Sequence, residues 1–237
     1  NTIVGWSVFL IASFVYLSTI EQTVSFWDCG EYIATAYKLE VGHPPGAPLF
    51  QLFGRIFSLF ATPATSEVAV AVNILSALCS AFTILFLFWT ITAFGRKLFL
   101  KGEEFEIAKI IVVIGSGIVG ALAYTFSDSF WFSAVEGEVY AMASFFTAIT
   151  FWSIMKWEAE ANQPRASRWL VLIAYLIGLS IGVHLLSLLT IPAMGMIYYY
   201  KRYVYSRIGA IKAFLISIII LGIVQGLIIP GAVSLIS

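Results

Sequence analysis

Two carboxylates and a histidine lie close together in the sequence, shortly after the first hydrophobic stretch of an otherwise apolar chain. Asp28 and Glu31 belong to the segment Phe-Trp-Asp-Cys-Gly-Glu-Tyr, and His43 opens the segment His-Pro-Pro-Gly. Ionisable groups beside a lipid bilayer are energetically costly, so they need a partner, a water-filled cavity or a chemical role. We therefore expect the functional site in this part of the chain.

Asp28 and Glu31 are three residues apart, which places both carboxylates on one face if the segment is helical. One could act as a general base while the other orients it, binds substrate or helps to hold a metal. Alternatively, Asp28 could cap a helix N-terminus, with Glu31 at a spacing like that of a capping box. A carboxylate bonded to backbone amides is a weaker base, so the two interpretations are compatible only in part.

The two histidines also allow a functional and a structural interpretation. His43 could bind a phosphate or carry a proton near neutral pH, or it could simply face water in a loop. His184 follows a glycine-rich helix end, where it could contribute to the site or hydrogen-bond a neighbouring helix.

A second polar segment, residues 127–140, combines acidic and aromatic side chains. Aromatic faces can stack on the CH groups of a sugar ring, while carboxylates accept hydrogen bonds from its hydroxyls. The candidates for such a role are Trp131, Glu136, Glu138 and Tyr140. The alternative is an ordinary aromatic belt at the membrane surface with solvated acids. The sequence contains no nucleotide-binding glycine loop, zinc-ligand spacing or Ser-His-Asp order.

Composition identifies a polytopic membrane protein. Of 237 residues, 60% are hydrophobic and 11% are charged, whereas a soluble domain has about a quarter charged residues. The net charge is zero, so nothing indicates a nucleic-acid partner. Cys29 and Cys79 do not have the spacing of a metal site, and sequence alone does not decide whether they pair. A stripe of glycines, Gly115, Gly117 and Gly120, indicates close helix packing.

Hydropathy predicts an all-α bundle of about seven spans in a single unit covering residues 1–237. The predicted spans are 3–20, 68–94, 107–126, 138–156, 168–183, 185–200 and 208–229. Lys and Arg follow the second, fourth and sixth spans, so these loops should be cytoplasmic. The loops at 21–67 and 127–138 are acidic or nearly neutral and should face outward. The run 168–200 must then cross twice, and we expect a cavity at its turn near Gly182.

The long outer loop has predicted structure of its own. Residues 27–41 and 49–60 are apolar and aromatic enough to form two helices lying along the membrane interface. The segment His43-Pro44-Pro45-Gly46 between them cannot continue a helix and should form a rigid turn.

Four motifs in order along the chain resemble one family. They are Phe-Trp-Asp-Cys-Gly-Glu-Tyr at 26–32, Gly-His-Pro-Pro-Gly-Ala-Pro at 42–48, Phe-Trp-Phe-Ser-Ala-Val-Glu-Gly-Glu-Val-Tyr at 130–140 and Gly-Leu-Ser-Ile-Gly-Val-His at 178–184. Together they resemble a group of bacterial membrane proteins, abundant in Bacteroidetes. That group is related to the eukaryotic protein O-mannosyltransferase acting on IPT/TIG domains, and it belongs to the GT-C superfamily of membrane glycosyltransferases.

The resemblance implies a seven-span GT-C module at the start of a longer protein, in a bacterial inner membrane with its active site facing the periplasm. It implies a polyprenyl-phosphate-linked sugar donor, such as a mannose donor, and inverting transfer to a Ser or Thr hydroxyl of a protein or to a glycan. The acid of the first loop maps to Asp28, with Glu31 as companion. His43 or Arg55 would stabilise the departing phosphate.

The resemblance leaves Trp131, Glu136, Glu138, Tyr140 and His184 as sugar-binding or supporting candidates. No cofactor is required by the pattern, although the acids could hold a divalent cation. We expect Asp28 to face a wet, lipid-accessible cavity under the two outer loops. Two other functions compete with the enzyme: a transporter or flippase of a lipid-linked substrate, and a non-catalytic subunit of a membrane assembly.

Overall fold

The computed structural model describes residues 1–62, 64–99 and 107–231, and the regular elements within them are all helical. The chain forms α1 (Thr2–Ser18), α2 (Cys29–Lys38), α3 (Pro48–Ser58), α4 (Thr65–Phe99), α5 (Ile107–Thr125), α6 (Asp128–Ala134), α7 (Val139–Glu160), α8 (Ser167–Ile181), α9 (Thr190–Arg202) and α10 (Arg207–Ile223). A 3₁₀ turn (Leu185–Leu189) precedes α9, and a π-helical turn (Val224–Ile228) extends α10.

Four helical stretches of the described chain are long and apolar enough to cross a membrane. They are Ser66–Phe99, Ile107–Thr125, Val139–Glu160 and Arg207–Gly231. The apolar helices α1 and α8 are shorter, with 17 and 15 residues. At 1.5 Å per residue, α1 rises about 26 Å, slightly less than a typical hydrocarbon core. The all-helical membrane character is thus confirmed, whereas the total of seven spans stays a prediction.

The long helices run alternately between two ends of the bundle that differ in charge. At the acidic end, the Tyr16 hydroxyl on α1 donates to the Thr125 carbonyl of α5, 3.0 Å away. At the basic end, Lys97 of α4 forms an ion pair with Glu158 of α7. The cations of the basic end include Arg96, Lys97, Lys156, Arg168, Lys201 and Arg202. This division matches the loop charges from which the topology was predicted.

The helix α4 forms the core of the bundle. Its buried Ala77, Ala81, Ile84 and Phe88 pack against α1 and α5. The close packing expected at the glycines of α5 is confirmed at Gly117, where a Cβ would lie only 2.6 Å from Thr92 Cγ2 and 2.8 Å from Phe88, and at Gly120. It is not found at Gly115, where a Cβ would meet nothing within 4 Å. Close approach of these two helices therefore requires the missing side chain. Both cysteines are buried free thiols, so they do not pair.

A buried amide on α4 fastens the two loops of the acidic end. Asn73 is fully buried, and its Nδ2 donates to the carbonyls of Glu21 at 2.7 Å and Thr23 at 3.3 Å. The second loop packs on the same amide, since a Cβ at Gly137 would lie 2.8 Å from Asn73 Oδ1. The two loops also meet directly where the Glu21 N–H donates to the Val135 carbonyl, 3.1 Å away.

The chain turns between α8 and α9 at Gly182–His184, where the sequence predicts a turn. The expected cavity is not open at Gly182, because the start of α3 packs there. The Leu49 N–H donates to the Gly182 carbonyl at 2.7 Å, and a Cβ at Gly182 would lie 3.1 Å from Leu49 Cβ. A backbone donor left free at the first turn of α3 finds its acceptor in this turn.

Replacing Asn73 by Leu should destabilise the protein by about 1–3 kcal/mol, because the Glu21 carbonyl loses its donor in a buried setting. Thermal unfolding in detergent measures the effect. The matched control is Thr83→Val in the same helix, whose hydroxyl bonds only the Cys79 carbonyl one turn earlier. Equal stability of the two variants would contradict the role given to Asn73.

Candidate active site

The carboxylate of Asp28 is free of the helix that it precedes. Asp28 is the N-cap residue of α2, yet its side chain makes no capping hydrogen bond and is 59% exposed. The capping interpretation is therefore wrong for the side chain of Asp28. Cys29, Ile33 and Ala36 of α2 are buried against the bundle, and this packing sets the position of Asp28 at the start of the helix.

Asp28 has a neighbour that the sequence does not place there. The backbone of Asp28 lies close enough to the Glu138 carboxylate, from the second loop, to oppose the increase in the pKa of Glu138. Glu31 instead points toward His43, so no capping box forms between Asp28 and Glu31. The two loops of the acidic end thus meet at Asp28.

Glu31 binds His43 through two hydrogen bonds. One carboxylate oxygen accepts from the His43 N–H, and the other lies 3.0 Å from His43 Nδ1. These bonds raise the pKa of His43 and lower the pKa of Glu31. The pair therefore favours a protonated imidazole beside an ionised carboxylate, the arrangement needed to attract an anion.

The segment His-Pro-Pro-Gly forms the turn that returns the chain to Glu31. The Gly46 N–H donates to the His43 carbonyl at 2.9 Å, and Gly46 has a φ of +77°, which favours glycine. Pro48 then starts α3 at a position where no backbone donor is needed. The predicted turn is thus present, and it connects α2 directly to α3.

His43 lies between Glu31, Asp28 and an aromatic ring. Its Nε2 is 3.9 Å from Asp28 Oδ2, and its ring centroid is 5.8 Å from that of Tyr32. Tyr32 in turn packs edge-on against the buried Phe50 at 5.6 Å. Burial raises the pKa of Tyr32 to about 12, with a smaller contribution from Asp28, so Tyr32 stays neutral.

Asp28, Glu31, Tyr32 and His43 form a cluster, and Glu136 and Glu138 lie beneath it. Glu136 is 4% exposed and Glu138 is 5% exposed. Burial, with smaller contributions from the nearby charges of Glu136 and Asp28, raises the pKa of Glu138 to about 7. Burial also raises the pKa of Glu136, against a hydrogen bond from Ser25. Near neutral pH Glu138 is therefore partly protonated, which limits the negative charge gathered below Asp28. Both residues are buried, and of the two it is Glu138 that interacts with Asp28.

The remaining candidates divide between this cluster and other places. Tyr140 contributes to the pKa of Tyr32, and its ring lies 5.5 Å from that of His184. His184 Nδ1 accepts from the Leu186 N–H and caps the 3₁₀ turn that it precedes, so this bond is local and not the bond to a neighbouring helix that was considered. Trp131 donates to the Thr19 hydroxyl at 2.9 Å and packs against Phe126.

Arg55 lies at the far end of α2 from Asp28. Its guanidinium donates to the Tyr37 carbonyl at 2.8 Å and lies 5.2 Å over the Tyr37 ring. Nine residues of helix separate Tyr37 from Asp28, a rise of about 13 Å. In this arrangement Arg55 holds the C-terminus of α2 and is not beside His43.

A cavity and a candidate cation site accompany the cluster. Asp28, Glu31 and His43 offer donor atoms within 4.8 Å of one another, and this donor set could hold a divalent cation.

A cavity of about 700 Å³ opens at the same end between α3 and α4, lined by Gln22, Thr23, Phe57, Phe60, Ala61, Ser66, Glu67, Val70, Ala71 and Ile74. Asp28 is not in this lining, so the cavity is beside the cluster and not beneath it as expected.

Two residues of the site were missed in the sequence. Asn73 fastens both loops, and a lone amide within an apolar helix could have signalled it. Gln51 is 8% exposed, and its Nε2 has no hydrogen-bond partner. Gly42 lies between Gln51 and Glu31, because a Cβ at Gly42 would be 3.3 Å from Gln51 Nε2 and 3.0 Å from Glu31 Oε1. No local sequence pattern indicates that Gln51 lies near Glu31.

Comparison with known proteins places the chain among named relatives. The model of the family "Protein O-mannosyl-transferase TMEM260 N-terminal domain" matches residues 28–207. The chain is 28% identical over 142 residues to protein O-mannosyl-transferase tmem260 of Dictyostelium discoideum, covering 60% of this chain and 15% of that protein. It is 27% identical over 176 residues to protein O-mannosyl-transferase TMEM260 of Mus musculus, covering 74% of this chain and 22% of that protein.

The chain thus aligns with less than a quarter of the length of these relatives. No solved structure matches it. The matched family region begins at Asp28 and includes the cluster, the second loop and the turn at Gly182–His184.

Replacing Glu31 by Gln should lower the pKa of His43 toward its ordinary range, because the Glu31 hydrogen bond is the largest cause of the increase. A raised pKa means that the imidazolium persists to higher pH, so the variant should lose this positive charge at lower pH than the wild type does. NMR titration of labelled histidine measures it, since the chain has two histidines.

The control is Glu40→Gln, an acid of the same loop that lies 3.9 Å from Lys38. It should leave the titration of His43 unchanged. An identical His43 titration in the wild type and in Glu31→Gln would contradict the pairing.

Proposed function

The chain belongs to the family of the protein O-mannosyl-transferase TMEM260 N-terminal domain, and from this premise we propose that it contains the reaction centre of a membrane glycosyltransferase. The enzyme transfers a sugar, mannose by analogy with the named relatives, to a hydroxyl of a protein. Its donor is a sugar linked to a polyprenyl phosphate, which can reach the site through the bilayer.

One observation carries the proposal. The free carboxylate of Asp28 lies 3.9 Å from the imidazole of His43, whose pKa the hydrogen bond to Glu31 raises, so that the protonated form is favoured. A base and an anion-binding cation at this distance suit a reaction in which a hydroxyl attacks and a phosphate leaves. Asp28 has no capping bond that would compete for its oxygens.

The reaction would proceed in one displacement. The hydroxyl oxygen of a Ser or Thr in the acceptor attacks the anomeric carbon of the sugar while Asp28 accepts the hydroxyl proton. The bond from that carbon to the phosphate oxygen breaks, and the polyprenyl phosphate leaves with the electron pair. His43 stabilises the new charge. Attack opposite to the leaving group inverts the anomeric carbon, and positioning supplies much of the rate.

The other groups of the cluster have supporting roles in this proposal. Glu31 orients and charges His43, and Glu138 lies beside the backbone of Asp28. Tyr140 and His184 stand beside Tyr32 at the edge of the cluster, where a sugar ring could contact them. The neighbouring cavity between α3 and α4, with Phe57 and Phe60 in its lining, is apolar enough to receive part of the lipid.

The placement of the site follows from the charges of the two ends. The cation-rich end should be cytoplasmic by the positive-inside rule, so Asp28 should face the opposite side. We propose seven spans arranged as a GT-C module, of which four are long and apolar enough by themselves to cross a membrane. The resemblance to a bacterial family supports a bacterial inner membrane with the site toward the periplasm.

The variant Asp28→Asn should lower sugar transfer by about 10²-fold or more, because a general base contributes about that much. The assay follows release of radiolabelled sugar from a polyprenyl-phosphate donor by the purified protein, with and without a Ser/Thr-containing acceptor protein. Sugar release also separates an enzyme from a flippase or a structural subunit, because neither of these cleaves the donor.

The matched control is Asp128→Asn, which neutralises an exposed acid at the same end of the bundle. It should transfer sugar like the wild type. Near-normal transfer by Asp28→Asn would refute the assignment of the base, and no release by the wild type would refute the enzyme.

A further inference from the structure

A second cavity lies at the basic end, far from Asp28. It has a volume of about 700 Å³ and is lined by the beginning of α1 and the last turns of α4 and α7. Its lining residues are Asn1, Thr2, Trp89, Ala93, Arg96, Lys97, Trp152, Met155, Lys156 and Ala159. Small-molecule sites have volumes in this range.

Three cations line the cavity, and two of them have no carboxylate within ion-pair distance. Lys97 pairs with Glu158, which Lys201 also approaches at 3.6 Å. Among residues 1–62, 64–99 and 107–231, no carboxylate oxygen lies within 4.0 Å of the charged nitrogens of Arg96 or Lys156, although the charge of Lys156 attracts that of Glu160. The lining contains no acidic side chain. The cavity is therefore complementary to an anion.

Neighbouring acids are already engaged. Glu160, one turn after Lys156, accepts from Arg168 at 2.9 Å and from the Trp169 indole at 2.8 Å. Lys156 itself lies 5.3 Å over the ring of Trp152. Its ammonium is thus held at the aromatic wall of the cavity, which leaves its donors available to a ligand.

The wall below the cations is aromatic and apolar. The rings of Trp89 and Trp152 lie 5.9 Å apart, and Met155 adjoins them. Trp89 is ten residues before the end of α4, about 15 Å along the helix, while Arg96 is three residues before it. Cations at a helix end above tryptophan rings are typical of the level where lipid headgroups meet acyl chains.

We propose that this cavity binds an anionic glycerophospholipid, with its phosphate at Arg96 and Lys156 and its glycerol and first acyl carbons against Trp89 and Trp152. The site is separate from the glycosyltransferase reaction, because it lies at the opposite end of the bundle. The leaflet on the cation-rich side of a membrane carries the anionic lipids that such a site would take.

The test compares binding of phosphatidylglycerol and phosphatidylcholine to the purified protein in detergent, by native mass spectrometry. Phosphatidylglycerol should bind the wild type at least about tenfold more tightly. The double variant Arg96→Gln/Lys156→Gln should weaken that binding by roughly thirtyfold, at about fivefold for each cation. The charge-retaining variant Arg96→Lys/Lys156→Arg should restore most of it.

The matched control is Arg207→Gln/Lys212→Gln, which removes two cations from the same end outside the cavity. It should bind phosphatidylglycerol like the wild type. Inorganic phosphate in tenfold excess over the lipid should not displace it, because it lacks the acyl contacts. The proposal fails if both double variants lose binding equally, if phosphatidylcholine binds as tightly, or if free phosphate competes fully.

Discussion

The double hydrogen bond between Glu31 and His43 is the interaction on which the candidate site depends. One carboxylate binds both the main chain and the imidazole of a single residue, twelve positions later in the chain. The contact closes the segment between α2 and α3 into a defined loop and turns Nε2 of His43 toward Asp28. Hydrogen bonds to a charged acceptor are stronger and shorter than neutral ones, so this pair can order a half-exposed turn.

The bilayer explains why the remaining polar groups lie where they do. The helix α4 has 35 residues and rises about 52 Å, well beyond a hydrocarbon core of about 30 Å. The part of α4 that exceeds the hydrocarbon core contacts the loops at the acidic end and carries Arg96 and Lys97 at the basic end. Asn73 is a buried amide in its apolar part, and it satisfies loop carbonyls that would otherwise be buried without a donor.

Local patterns predicted the helices well, whereas contacts between distant segments could not be predicted. Hydropathy gave 107–126 for the helix found at Ile107–Thr125, and the interfacial helix expected at 49–60 is Pro48–Ser58. The capping box did not form because the Glu31 carboxylate binds His43, twelve positions later in the chain. Arg55 was grouped with the phosphate site because it follows His43 closely in the sequence. It lies in α3, however, and binds Tyr37 at the C-terminus of α2, whereas Asp28 lies at the N-terminus of that helix. Such outcomes depend on how the loops pack together, which periodicity does not encode.

The position of a bound donor phosphate tests this account most directly. A cryo-EM structure of the protein with a non-hydrolysable polyprenyl-phosphate sugar analogue would locate it. The account predicts the phosphate within hydrogen-bond distance of the His43 imidazole, with the anomeric carbon on the side of Asp28. A phosphate bound only at the basic end beside Arg96 and Lys156, with Asp28 and His43 facing bulk solvent and unchanged, would contradict it.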